Sequence, residues 1–123
     1  MIAVVLLISM PGFSSTSLGY LVDARCFQSE ERNVNPDYIS VPGARDIDFE
    51  IRACVPRANK TKTFMVVLLS GEVLKLDAAG NAQAAKLVKA AGRSGRPQRH
   101  FAVNITGTIS SGTINVNLIA GVN

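Results

Sequence analysis

Tryptophan is absent from this chain, histidine occurs once, cysteine occurs twice, and aromatic residues make up only 6% of its 123 residues. A stacking platform for bases or sugar rings is therefore sparse, and the core has to be built from aliphatic side chains. A single His and two Cys do not supply the closely spaced ligand sets of zinc sites, and no phosphate-cradling glycine loop or nucleophile elbow occurs. No metal or cofactor is expected on these grounds. The apolar stretch Ile2–Met10 is too short to span a bilayer, which takes about 20 apolar residues as a helix. No transmembrane anchor is expected either.

Acidic residues are scarce in one half of the chain. Residues 1–56 carry four basic groups against seven acidic ones, whereas residues 57–123 carry nine basic groups against Glu72 and Asp77 alone. The net charge is +4. Such asymmetry has two readings, attraction to an anionic partner or solvated cations that keep a small protein soluble.

What is present in quantity is apolar residues, 47% of the chain, enough for one hydrophobic core and one domain. Residues 1–15 read as an export signal: the apolar stretch is broken by Pro11 and Gly12 and followed by Ser14, Ser15 and Ser17, the small residues a signal peptidase needs. No Lys or Arg precedes the stretch, so a buried N-terminal strand is the competing reading. The remainder, residues 16–123, is then a single domain in a periplasmic or secreted setting. An oxidising compartment makes Cys26 and Cys54 a structural disulfide, which would restrain the polar, turn-rich stretch from Phe27 to Arg45. The stretch itself has no sustained period and reads as a long surface loop.

The clearest structural signal is Thr63–Leu76. Six apolar residues from Phe64 to Leu69, then Ser-Gly-Glu, then Val-Leu-Lys-Leu, predict a buried strand, a tight turn and a second strand. Leu18–Asp23 alternates as a first strand, with Leu18, Tyr20 and Val22 on one face and Gly19, Leu21 and Asp23 on the other. Asp46–Cys54 fits a short helix, with Ile47, Ile51 and Cys54 at helical spacing, but Ile47, Phe49 and Ile51 also alternate, so both readings stand. An Ala-rich helix is expected over 81–91, capped by Asn81, ended by Gly92, with Ala84, Leu87, Val88 and Ala91 as its apolar stripe and Lys86 and Lys89 facing away. A last hairpin runs from Phe101 to Ile119, turning at Ser110-Ser-Gly112, with a bend or bulge at Gly107 and Ile114, Val116 and Leu118 on its inner face.

This order of elements predicts an all-β protein with one helix, a five-stranded OB-fold-like barrel whose helix lies between strands 3 and 4. The chain also resembles the small exported bacterial OB-fold proteins, most closely an uncharacterised secreted group. The resemblance rests on Gly19-Tyr-Leu-Val-Asp-Ala-Arg-Cys26, on Lys60-Thr-Lys-Thr-Phe-Met-Val-Val-Leu68 with Ser70–Asp77, and on Asn104-Ile-Thr-Gly-Thr108 with Gly112-Thr-Ile-Asn-Val116. The chain departs from that group in having Ile where Val is common and in Asn117 near its end. The resemblance implies a non-enzymatic binding role in an envelope or stress setting and carries no catalytic residues with it.

Candidate site residues follow from charge. Of the basic set in the second half, Lys62, Lys75, Lys89, Arg93, Arg96 and Arg99 lie on strand 3 and the helix side and are the expected ligand-binding residues. The partner would be an anionic ligand, a glycan or an acidic protein surface; single-stranded nucleic acid is disfavoured by the missing aromatics and by export. His100 has no Ser, Cys or acidic cluster beside it in sequence and reads as a residue at the mouth of a strand, with a general-base role as the alternative. Asp23, Asp46, Asp48 and Glu50 match no calcium-loop spacing and read as solvated or capping groups.

Overall fold

The computed structural model describes residues 14–29, 47–92 and 100–122. In chain order come strand β1 (Ser15–Asp23), helix α1 (Ile47–Ala53), strands β2 (Phe64–Leu68) and β3 (Val73–Leu76), helix α2 (Ala78–Gly92), and strands β4 (Phe101–Ser110) and β5 (Thr113–Gly121). The strands close into a barrel in the order β1-β2-β3-β5-β4. Every pair is antiparallel except β3 with β5, which run parallel. This is the OB-fold-like barrel expected from the element order, with α2 between its third and fourth strands. The stretch read as an export signal lies outside the described residues, apart from Ser14 and Ser15.

Both hairpins close where the sequence places turn residues. Gly71 has φ +95° in the β2–β3 turn, and Ser111 and Gly112 have φ of +51° and +77° between β4 and β5. Two successive positive φ values match the right-handed twist of the flanking strands, and Gly112 adopts one at no steric cost.

Two apolar clusters flank the sheet. Inside the barrel lie Leu21, Phe64, Val66, Leu68, Leu74, Phe101, Val103 and Ile105, closed at one end by Ala84 and Val88 of α2. Outside it, Val22, Met65 and Val67 project from β1 and β2 and are covered by Ala24, Phe27, Ile51 and Cys54. This double burial explains the continuous apolar run: a strand covered on both faces has no reason to alternate. All five residues of β2 are buried. The run ends when Leu69, 62% exposed, passes into the turn.

The outer cover corrects one expectation and resolves another. Residues 24–29 are helical rather than loop, and Phe27 is fully buried. The physical reason is the apolar outer face of β2, which a purely polar loop could not cover. Residues 30–46 lie outside the described residues. Residues 47–53 form a helix, which places Ile47, Ile51 and Cys54 together on that same face. Cys26 and Cys54 are joined in a disulfide with Cα atoms 5.5 Å apart, tying the helical turn to α1.

Helix α2 begins at Ala78, earlier than the sequence alone suggests, because Asp77 rather than Asn81 is its cap. Asp77 Oδ1 accepts from the amides of Gly80 at 2.9 Å and Val116 at 3.2 Å, so one carboxylate oxygen serves both the helix end and β5. Asn81 instead accepts from the Phe64 amide at 2.9 Å, joining α2 to the start of β2. The register of β4 with β5 shifts beside Gly107 as expected, but the extra residue is on β5: Thr106 faces Leu118 and Gly107 faces Val116, so Asn117 is bulged. The shift inverts the alternation beyond it. Ile119 points inward, 7% exposed, and Leu118 points outward, 58% exposed.

Candidate ligand-binding cleft

The connector between α1 and β2 forms a wall facing α2. Its geometry is set by a chain of short-range bonds. The Thr61 and Lys60 amides donate to the Arg57 carbonyl at 3.0 and 3.2 Å, and Asn59 takes a positive φ of 65° to let the chain turn. The Thr61 hydroxyl accepts from the Arg57 amide at 2.9 Å and donates to Asp23 Oδ2 at 2.7 Å. Thr61 is itself buried, so this polar anchor is shielded from water. The other Asp23 oxygen accepts from the Cys26 amide at 3.0 Å, capping the helical turn at the end of β1.

Between this wall and α2 lies a cleft of about 250 Å³. Phe64, Ala58 and Val88 supply apolar lining, and Arg57, Lys62, Lys86 and Lys89 bring four cations to the same cleft. Among the described residues none of these four cations takes part in an ion pair. A second hollow of about 400 Å³ continues past Arg57, Ala58 and Val88, which line both, toward Val55, Pro56, Ala91 and Phe101. Arg52 lines this second hollow as well, so cations border both.

Of the six expected binding residues, Lys62 and Lys89 come together in the cleft. Lys75 does not join them. It projects from the outer face of β3, with Leu74 and Leu76 inward as alternation requires, and lines a different depression with Ala24, Gln28 and Asn81. Arg93, Arg96 and Arg99 lie outside the described residues. Arg57 and Lys86 are cleft residues that the charge argument left out of its selection. The three-residue spacing of Lys86 and Lys89 on one helix could have flagged Lys86; Arg57 needed the folded turn.

The carboxylates are dispersed into structural roles. Asp23 anchors Thr61, Glu50 is buried, and Asp48 bonds Arg52 Nε at 2.9 Å and His100 Nε2 at 2.8 Å. The His100 hydrogen bond, followed by the Arg52 guanidinium, holds the Asp48 carboxyl below its usual value of 3.8. The His100 ring also lies 5.2 Å from that of Tyr20, centroid to centroid. This group joins α1 to β1 and to the approach to β4. Among the described residues the hydrogen-bonding partner of His100 is Asp48. No group of three metal-ligating side chains that could hold an ion occurs among the described residues. No helix among them is long and apolar enough to cross a membrane.

No protein-family model, curated protein or solved structure matches this chain.

Proposed function

We propose that this chain is an exported, non-enzymatic binding module that takes an anionic ligand in the cleft between residues 57–62 and α2. The observation that carries the reading is the convergence of Arg57, Lys62, Lys86 and Lys89 on one concave site, without ion-pair partners among the described residues. Like charges brought together at a concave surface repel one another, and an anion that relieves the repulsion is bound at the folded state's advantage. The wall that carries Arg57 and Lys62 is held by the buried Thr61–Asp23 bond, so little ordering remains to be done on binding.

The disulfide supports an oxidising setting, and with the resemblance to small exported OB-fold proteins it favours the periplasm or the extracellular space. A single-strand nucleic-acid reading is weaker for a structural reason. The outer face of β1 and β2, part of the barrel surface OB folds use for stacked bases, is covered here by Phe27, Ile51 and Cys54.

Amide chemical-shift titration of the whole protein with inorganic phosphate, a sulfated oligosaccharide, a short oligothymidine and hexanoate tests the reading. Shifts should gather on residues 57–62 and 85–89 and vanish in Lys62→Glu/Lys89→Glu. Anion-induced shifts elsewhere, or shifts that survive the charge reversal, would overturn it.

A further inference from the structure

We infer that the Cys26–Cys54 disulfide is a redox latch on the cleft, fastened when oxidised and loosened by exchange with a dithiol, so that anion affinity follows the redox state of the bridge. The inference rests on the anion-binding reading above and adds its regulation. Its basis is Asp23, which is bonded to both half-cystines and to the cleft wall. The Asp23 amide donates to the Cys54 carbonyl at 2.8 Å. Its Oδ1 accepts from the Cys26 amide at 3.0 Å, and its Oδ2 accepts from the Thr61 hydroxyl at 2.7 Å. That hydroxyl in turn accepts from the Arg57 amide at 2.9 Å. Arg57 follows Cys54 by three residues, and Lys62 follows Thr61 directly. Two of the four cleft cations therefore stand on a wall fastened at its start by the bridge and farther along by Asp23, while Lys86 and Lys89 stand opposite on α2.

Cys54 is 1% exposed whereas Cys26 is half-buried, so exchange begins at the Cys26 sulfur. One thiolate of the dithiol bonds to Cys26 Sγ, the protein's S–S bond breaks, and Cys54 leaves as a thiolate that takes up a proton. The second thiolate of the dithiol then closes onto the mixed disulfide and releases Cys26, which is protonated in its turn. Two electrons pass to the two cysteines from the dithiol, which is left as a disulfide. The segment from Cys54 to Arg57 is then tied to the end of β1 by hydrogen bonds and packing alone, and ordering it becomes part of the cost of binding. The barrel does not depend on the bridge in the same way, because its inner cluster contains neither cysteine.

The test compares the oxidised whole protein with the same protein reduced by dithiothreitol. Amide chemical-shift titration with inorganic phosphate and with a sulfated oligosaccharide should show affinity falling on reduction by roughly five- to 150-fold, the usual range of coupling between two sites. Reduction alone should move the amides of residues 57–62 and leave those of β4 and β5 in place. Because coupling is reciprocal, saturating anion should shift the thiol–disulfide equilibrium in a dithiothreitol redox buffer toward the disulfide by the same factor, a readout that a merely structural bridge would not move. Thr61→Val should weaken binding by the oxidised form and abolish that shift. Equal affinity in both redox states, or a thiol–disulfide equilibrium indifferent to the anion, would overturn the latch and leave anion binding standing. Global unfolding on reduction would overturn the latch too, because the bridge would then serve stability alone. A shift that survives Thr61→Val would overturn the route through Asp23. No binding of either anion by the oxidised protein would overturn the anion reading itself and the latch with it.

Discussion

Thr61 and Asp23 are bonded side chain to side chain at 2.7 Å across 38 residues of sequence, and that bond fastens the binding wall to the end of the first strand. Thr61→Val keeps the shape and removes the hydroxyl, leaving an Asp23 oxygen and the Arg57 amide without their partner. The expected cost is roughly 1–3 kcal/mol, the penalty of stranding a shielded polar group. Urea denaturation measures it. An unchanged midpoint would show that water replaces the hydroxyl and that the wall is not held this way.

Removing the disulfide should loosen the outer cover before the barrel. The bridge closes a loop with a sequence separation of 28, for which the chain-entropy estimate is roughly 3–4 kcal/mol. Cys26→Ser/Cys54→Ser should lower stability by that order and raise hydrogen exchange in α1 and at Met65 and Val67, while β4 and β5 stay protected. Uniform loss of protection across all strands would mean that cover and barrel unfold as one unit.

Gly80→Ala should destabilise, although alanine is the better helix former by about 1 kcal/mol. A Cβ at residue 80 would lie 2.5 Å from Val116 Cγ2, inside the barrel cluster. Relief requires shifting a buried valine or withdrawing the helix from β5, and overpacking of this kind costs typically 1–3 kcal/mol. Thermal unfolding distinguishes the two effects by sign: a raised melting temperature would show that the helix moves freely.

Asp48 should titrate below 3.8, because the His100 hydrogen bond and then Arg52 favour its ionised form. A carboxyl depressed in the folded state contributes stability that is present above its unfolded pKa and is lost as pH falls through the lower folded value. Asp48→Asn should therefore remove part of the acid dependence of stability below about pH 4. Carbon-detected titration of the Asp48 carboxyl gives the midpoint directly, and a value at or above 3.8 contradicts the clasp.

The cleft was legible only in part. Charge counting identified a basic half and selected Lys62 and Lys89, and helical spacing put Lys86 beside Lys89. Nothing local says that Arg57 turns toward α2, and although alternation puts Lys75 on the outer face of β3, only the closed sheet shows that this face is not the cleft.

Features set by neighbours along the chain were determined by the sequence itself: the β2–β3 and β4–β5 hairpins, the existence of α2, and the inward stripe of Ala84 and Val88. Backbone geometry imposes periods of two and 3.6 residues on apolar residues that must reach one core, so those elements show in any short window. Tertiary structure decided what depends on a distant partner. Asp77 rather than Asn81 caps α2 because Val116 and Phe64 compete for the two side chains. Ile119 rather than Leu118 enters the core because β4 forces a bulge at Asn117. Residues 47–53 are helical because a helix lays Ile47, Ile51 and Cys54 on the outer face of β2, where the disulfide holds them. In each case two local conformations were available, and burial against an element remote in sequence selected one.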